Sequence, residues 1–468
     1  VKFPSENRVL QMLTDIKTAD VQPYQEKVID TNLIEDKLKA QKVKSVDYNP
    51  VIDGVTEWVL GNGLRVILRP TQLKEDEILV YGFSYGGTSQ VPNLNDLYSA
   101  SLCSSIASSN GMGKYSQTDL GKALAGKRVS LRPTVGTYEE SFSGNSNVKD
   151  FETLLQLIYL TFKGTRKDDE SYEALMNQYR AVLANADKDP SRAFSDSVRN
   201  VVNNYHPRSF SMTLDRLKNV SQDRALEIFD ARFEDPKDFT IYFVGNLNLE
   251  SVKPLVEKYL GGIPKQKKMK VENWIDLGIR NPKGVVSNRF EREMQVNKTS
   301  NFVLFTGDMD YTLKNKLTLQ LIADILDIRY LESMRENEGG TYGVSVRSSL
   351  SYIPVKKGSL QMTFDTDPKL EDRLLQLIHE GIDTLIIKGP LDKDFNKVKE
   401  NLRNKFVENQ KENRWVLNAL VTYYKESLDL QKEYLPTLDA ISKEDIQTML
   451  KELMSQGNEI KVIMAAKQ

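Results

Sequence analysis

The sequence predicts an α+β protein made of two tandem homologous domains, each a mixed or antiparallel sheet covered by helices and about 220 residues long. Three observations carry that fold class. Leu154-Leu155-Gln156-Leu157-Ile158 recurs as Leu374-Leu375-Gln376-Leu377-Ile378, an offset of 220. The next helical pattern, Tyr172, Leu175, Tyr179 and Leu183, returns as Phe395, Val398, Leu402 and Phe406 at an offset of 223. Ser221 and Ser442, offset by 221, each precede a further helical stretch. There a hydroxyl can accept from free backbone N–H groups, and Asp445 after Ser442 has the spacing of a capping box. Each copy closes on a β-prone run, residues 239–244 and 460–464.

Along the chain, residues 1–51 form a charged prologue. Val9, Leu10, Met12, Leu13 and Ile16 recur at helical spacing after Ser5, Pro23 breaks that helix, and a lysine-rich stretch from Lys37 to Lys44 follows. The prologue reads as a connector packed on a neighbour. The first domain spans 52–264. Two β-prone runs, 56–60 and 64–68, flank Gly61-Asn62-Gly63, which predicts a hairpin whose two central residues both take positive φ. Another strand, 78–83, runs toward Gly86-Gly87. Gly261-Gly262-Ile263-Pro264 and the basic run Lys265 to Lys270 mark a solvated linker. The second domain spans 283–468, with its first strand near Val285. Trp58 and Trp274 are read as anchors of domain edges.

Composition excludes several function classes. Lys and Arg total 64 against 65 Asp and Glu, a net charge of −1, so neither nucleic acid nor an anionic membrane is bound by bulk electrostatics. No apolar run approaches the ~18–20 residues that cross a bilayer. The single cysteine, Cys103, excludes an intrachain disulfide framework and any multi-cysteine metal site. The only histidines, His206 and His379, lie 173 positions apart. His206 reads as a turn residue and His379 as a helix-surface residue, and no motif supports a Cys103–His206 nucleophile pair. Asn110-Gly111-Met112-Gly113 lacks the Lys-Ser/Thr ending of a phosphate loop. Glu139 and Glu140 are adjacent, so on a strand they face opposite ways and form no carboxylate pair.

Three further segments carry a resemblance. Leu60-Gly61-Asn62-Gly63-Leu64-Arg65-Val66, the turn Gly86-Gly87-Thr88, and Arg335-Glu336-Asn337-Glu338-Gly339-Gly340-Thr341-Tyr342-Gly343-Val344, set in the duplicated architecture, resemble the pitrilysin/insulinase family of zinc peptidases over residues 55–468. Members are built from repeated α+β domains, two per half, with two halves closing like a clam shell. The prologue resembles the linker between halves of single-chain members. The catalytic half that the resemblance implies is either upstream on the same polypeptide, which this prologue favours, or a separate subunit. The family's catalytic half carries His-x-x-Glu-His on the helix after the first Gly turn. Here that stretch reads Leu97-Tyr98-Ser99-Ala100-Ser101-Leu102-Cys103-Ser104-Ser105. The later helix that supplies a glutamate ligand reads Tyr179-Arg180-Ala181-Val182-Leu183-Ala184-Asn185. The resemblance therefore implies the non-catalytic, C-terminal half: no cofactor on this chain, Zn²⁺ on a catalytic partner half, peptide substrates, and no activity alone.

The resemblance also implies a supporting catalytic pair. Active members draw an arginine and a tyrosine, seven residues apart, from the second half, and Arg335 and Tyr342 stand at that spacing. Bacterial members suggest the periplasm or cell envelope. The alternative class is a catalytically inert scaffold of the same fold.

Overall fold

In the computed structural model, which describes residues 4–18, 30–265 and 273–467, two sheets dominate. The proposed break at Pro23 and most of the Lys265 to Lys270 run lie outside the described residues. The first sheet contains β1 (Val43–Tyr48), β2 (Thr56–Leu60), β3 (Arg65–Pro70), β4 (Ile78–Tyr85), β5 (Val129–Val135), β6 (Glu139–Ser146) and β7 (Thr240–Gly245), in the order β1-β2-β3-β7-β4-β6-β5. The second contains β8 (Val285–Arg292), β9 (Thr299–Asp308), β10 (Val344–Ser351), β11 (Lys357–Thr366) and β12 (Asn458–Ala466), in the order β10-β11-β9-β12-β8.

Read from opposite edges, β3-β7-β4-β6-β5 and β8-β12-β9-β11-β10 are the same arrangement. In each sheet the only parallel neighbours are the first pair, β3 with β7 and β8 with β12. The helices repeat too: Phe151–Lys163 and Asp169–Leu183 correspond to Glu371–Lys388 and Asp392–Asn409. Ser221 accepts from the backbone of Arg224, and Ser442 forms a full capping box with Asp445. The first sheet differs by its outer β2 and β1, the latter drawn from the prologue. Ahead of it, helix Glu6–Thr18 follows Ser5 as expected and leaves Val9, Leu10, Met12, Leu13 and Ile16 exposed.

Strand alternation sorts side chains into two cores per sheet. Val66, Leu68, Ile78, Val80, Ile241 and Phe243 face the first unit's own helices. Their neighbours Ile67, Leu79, Tyr242 and Val244 face the other way and meet Val416, Leu417 and Leu420 of helix Asn413–Glu426, which comes from the second unit. Reciprocally, Val303 and Phe305 face the second unit's helices. Phe302, Leu304, Ile460 and Val462 meet Val201 of helix Pro190–Val202, which comes from the first. The units thus exchange helices, and the central strands are buried on both faces.

Two sequence expectations are corrected. The hairpin at 60–64 is not a two-residue turn with paired positive φ: only Gly63 lies there, at φ 95°, with Leu60 N–H bonded to Leu64 C=O at 2.9 Å. Asn62 is instead buried, donating from Nδ2 to the carbonyls of Leu260 (2.8 Å) and Ile263 (3.2 Å). That tie between the hairpin and the unit's end selects a three-residue loop. Trp58 lies in the core of the first unit rather than at an edge, because its β2 position points to the helix layer. Trp274 is half-buried, edge-on to Tyr138 at 5.7 Å between ring centroids.

Candidate functional site

Arg335 and Tyr342 bracket one short segment whose ends are both fixed. Helix Leu313–Tyr330, capped by Thr312, runs into a π-helical turn Leu331–Asn337. Fully buried Met334 and Tyr330 anchor that turn, the Tyr330 hydroxyl donating to Ile378 C=O at 2.7 Å. With Met334 turned inward, Arg335 is left on the exposed side. The turn ends where Gly339 adopts φ 62°, its N–H bonding Arg335 C=O at 3.1 Å, while Gly340 N–H reaches Met334 C=O at 3.0 Å.

Gly340 is needed for a second reason. A Cβ there would stand 3.0 Å from Leu374, and its carbonyl accepts from the buried Thr366 hydroxyl. Glu338 is held by Arg373 at 3.0 Å. Beyond it, Thr341 Oγ1 accepts from Gly343 N–H at 3.2 Å and donates to its carbonyl. Tyr342 therefore sits in the loop ahead of β10 instead of entering the strand itself, since this bond closes the loop first. The phenol is 97% exposed. Among the described residues, neither its hydroxyl nor the Arg335 guanidinium has a hydrogen-bond or ion-pair partner.

The first unit's helix Leu97–Asn110 buries Leu97, Ala100, Leu102, Cys103 and Ile106. These are not metal donors apart from Cys103, whose thiol burial pushes up to about 11. Among the described residues no group of three or more His, Cys, Asp or Glu could hold a metal ion, so the residues at this place do not fit zinc. His206 accepts from Arg208 N–H at 3.3 Å within its turn, and His379 meets Glu459 at 3.0 Å from the face of its helix. Glu139 and Glu140 do part company. Glu139 takes the Tyr81 hydroxyl at 3.0 Å and Lys425, while buried Glu140 accepts Gly87 N–H at 2.7 Å.

A second feature went unseen in the sequence. A cavity of about 500 Å³ opens between helices Leu97–Asn110 and Asp169–Leu183 and the edge strand β5. Its walls come from residues scattered between Ser104 and Phe229, so no local spacing announces it. Arg132 on β5 is its one charged lining residue.

Comparison with known proteins agrees with this architecture. The description "Peptidase M16 inactive domain" fits residues 219–402, a span that includes the Arg335–Tyr342 segment. A zinc protease PQQL-like protein of Arabidopsis thaliana is 27% identical over 422 residues, 86% of this chain and 41% of that protein. The periplasmic protease PqqL of Escherichia coli superposes with a TM-score of 0.82 at 20% identity, covering 99% of this chain and 51% of that one. A mutant of the ferredoxin protease FusC, solved in complex with Arabidopsis ferredoxin, gives the same TM-score of 0.82 at 16% identity, over 100% of this chain and 51% of that one. The chain thus spans about half the length of these structures and 41% of the plant relative. Residues 219–402 thus match the M16 inactive domain, and the chain as a whole is similar to about half of a PqqL-like zinc protease, with no zinc motif in its first unit.

Proposed function

We propose that this chain is the non-catalytic, peptide-binding half of a zinc endopeptidase, with the metal carried by a partner half on the same polypeptide or on another subunit. The observation that carries the reading is the display of Arg335 and Tyr342. Two hydrogen-bonding side chains are held at the ends of a doubly anchored segment and have no partner among the described residues.

The chemistry suits that display. When water adds to a peptide carbonyl, negative charge gathers on its oxygen, and a phenol O–H aimed at that oxygen stabilises the charge once the site is closed and dry. The Arg335 guanidinium offers several donors in a fixed plane to substrate carbonyls, which keeps the peptide in register. Among the described residues no helix is long and apolar enough to cross a membrane. The likeness to a periplasmic protease supports a periplasmic setting.

Tyr342→Phe tests the reading in the assembled enzyme. It should lower kcat by at least about tenfold with zinc content unchanged, because it removes one donor to the developing oxyanion and nothing else. An unchanged kcat would retire the catalytic role and leave the inert scaffold.

A further inference from the structure

The cavity beside β5 has the makings of a binding site separate from Arg335 and Tyr342. Its floor is apolar, with Ala107, Leu131, Leu160 and Phe229 among its lining. Several of its polar groups are unspent: among the described residues the side chains of Ser105, Ser108, Gln117, Gln178 and Arg132 have no hydrogen-bond partner. No Asp, Glu or Lys lines it, so the unpaired Arg132 gives the cleft a positive character. A volume of about 500 Å³ lies in the usual range for ligand pockets.

The backbone beside it points to the shape of the ligand. Val135 N–H turns away from β6 and donates to Ser104 Oγ at 2.8 Å. Strand alternation then turns the N–H and C=O of Leu131 outward as well, on the free edge of β5, where an extended chain can pair with them. Pro133 offers no N–H on that edge, so pairing is confined to the stretch around Leu131.

We propose that this cleft binds an extended acidic peptide segment, seating one apolar side chain over Leu131, Leu160 and Phe229 and placing a neighbouring carboxylate on Arg132. The choice of a peptide rests on the function proposed above, while the site and its charge preference rest on the cleft itself.

The test is fluorescence anisotropy on the whole chain with no zinc half present, so it reads binding and not catalysis. Two fluorescein-labelled, C-amidated pentapeptides serve as probes, Ser-Glu-Phe-Glu-Ser and Ser-Lys-Phe-Lys-Ser. The acidic peptide should bind at least about tenfold more tightly than the basic one. Arg132→Glu should reverse that order. Ser108→Trp, which fills the mouth of the cleft, should weaken the acidic peptide at least about tenfold with the melting temperature unchanged. Tyr342→Phe should leave both affinities as they are, which separates this site from the catalytic role. Equal binding of the two peptides by the unaltered chain, no binding at about 1 mM, or Arg132→Glu binding like the parent would each overturn the proposal.

Discussion

Helices Asn413–Glu426 and Pro190–Val202 occupy corresponding places in the two units, and each crosses to the other unit's sheet, yet they are held very differently. The first buries Asn413, Val416, Leu417, Ala419 and Leu420, whereas the second buries only Val201. Polar contacts follow the same order. Asn413 Nδ2 donates to Glu77 at 2.9 Å, and its Oδ1 accepts from Thr71 Oγ1 at 2.6 Å. The Tyr424 hydroxyl meets Glu57 and takes Asn49 Nδ2 at 2.8 Å, and Lys425 pairs with Glu139 while lying 4.5 Å from the ring centre of Phe83. Across the other contact, Asn288 Nδ2 donates to Ser197 Oγ at 2.8 Å and Asn281 Nδ2 to Val202 C=O at 2.7 Å. A duplication that copied the helices therefore did not copy the strength of their contacts. The first sheet depends on the second unit more than the second sheet depends on the first.

The largest expected effect comes from breaking the stronger contact. Leu420→Ala removes a side chain that is 2% exposed and should cost about 2–5 kcal/mol, read as a lowered urea midpoint. Cys103, 1% exposed in the first unit, supplies a local readout, since its thiol reacts only when that unit opens. Its labelling by a thiol reagent should quicken in Leu420→Ala. A normal rate together with a normal midpoint would show that the exchanged helix does not hold the first sheet. Val201→Ala attacks the weaker contact and should cost about 1–2 kcal/mol, with Cys103 labelling unchanged. Equal losses at the two positions would erase the asymmetry.

Some of this was legible in the sequence and some was not, for physical reasons. The matching pentapeptide and the helix cap serines reveal the duplication because both record local periodicity or local hydrogen bonding. The apolar run Leu64-Arg65-Val66-Ile67-Leu68 marks a strand, and the structure shows both of its faces covered. What covers the second face is not in that run. An amphipathic stripe such as Val416, Leu417 and Leu420 says that a helix face is buried and nothing about which sheet receives it, because the choice depends on contacts hundreds of residues apart. Resemblance singled out Arg335 and Tyr342 as candidates, whereas nothing in the sequence pointed to the cleft at Arg132, since its walls assemble only in three dimensions. The Gly61-Asn62-Gly63 turn was misjudged for a related reason: a long-range bond from Asn62 overrode the local turn preference.

The central strands offer the finest test of how far the two units have diverged. In β7 the only side chain that titrates is Tyr242, whereas β12 carries Glu459 at its second position. Burial pushes the Glu459 carboxyl up, but hydrogen bonds from His379 and Lys461 outweigh it and leave it below the usual value of 4.5. A carboxyl lowered in the folded state adds stability that is complete above 4.5 and is lost as pH falls through its lowered value. Glu459→Gln should therefore cost about 0.5–1 kcal/mol at neutral pH, and the gap to the parent should close on acidification. Denaturant titrations between neutral and strongly acid pH would show it. A gap that stays constant with pH would mean that Glu459 contributes by packing alone, and that the acid sensitivity of the second unit lies elsewhere.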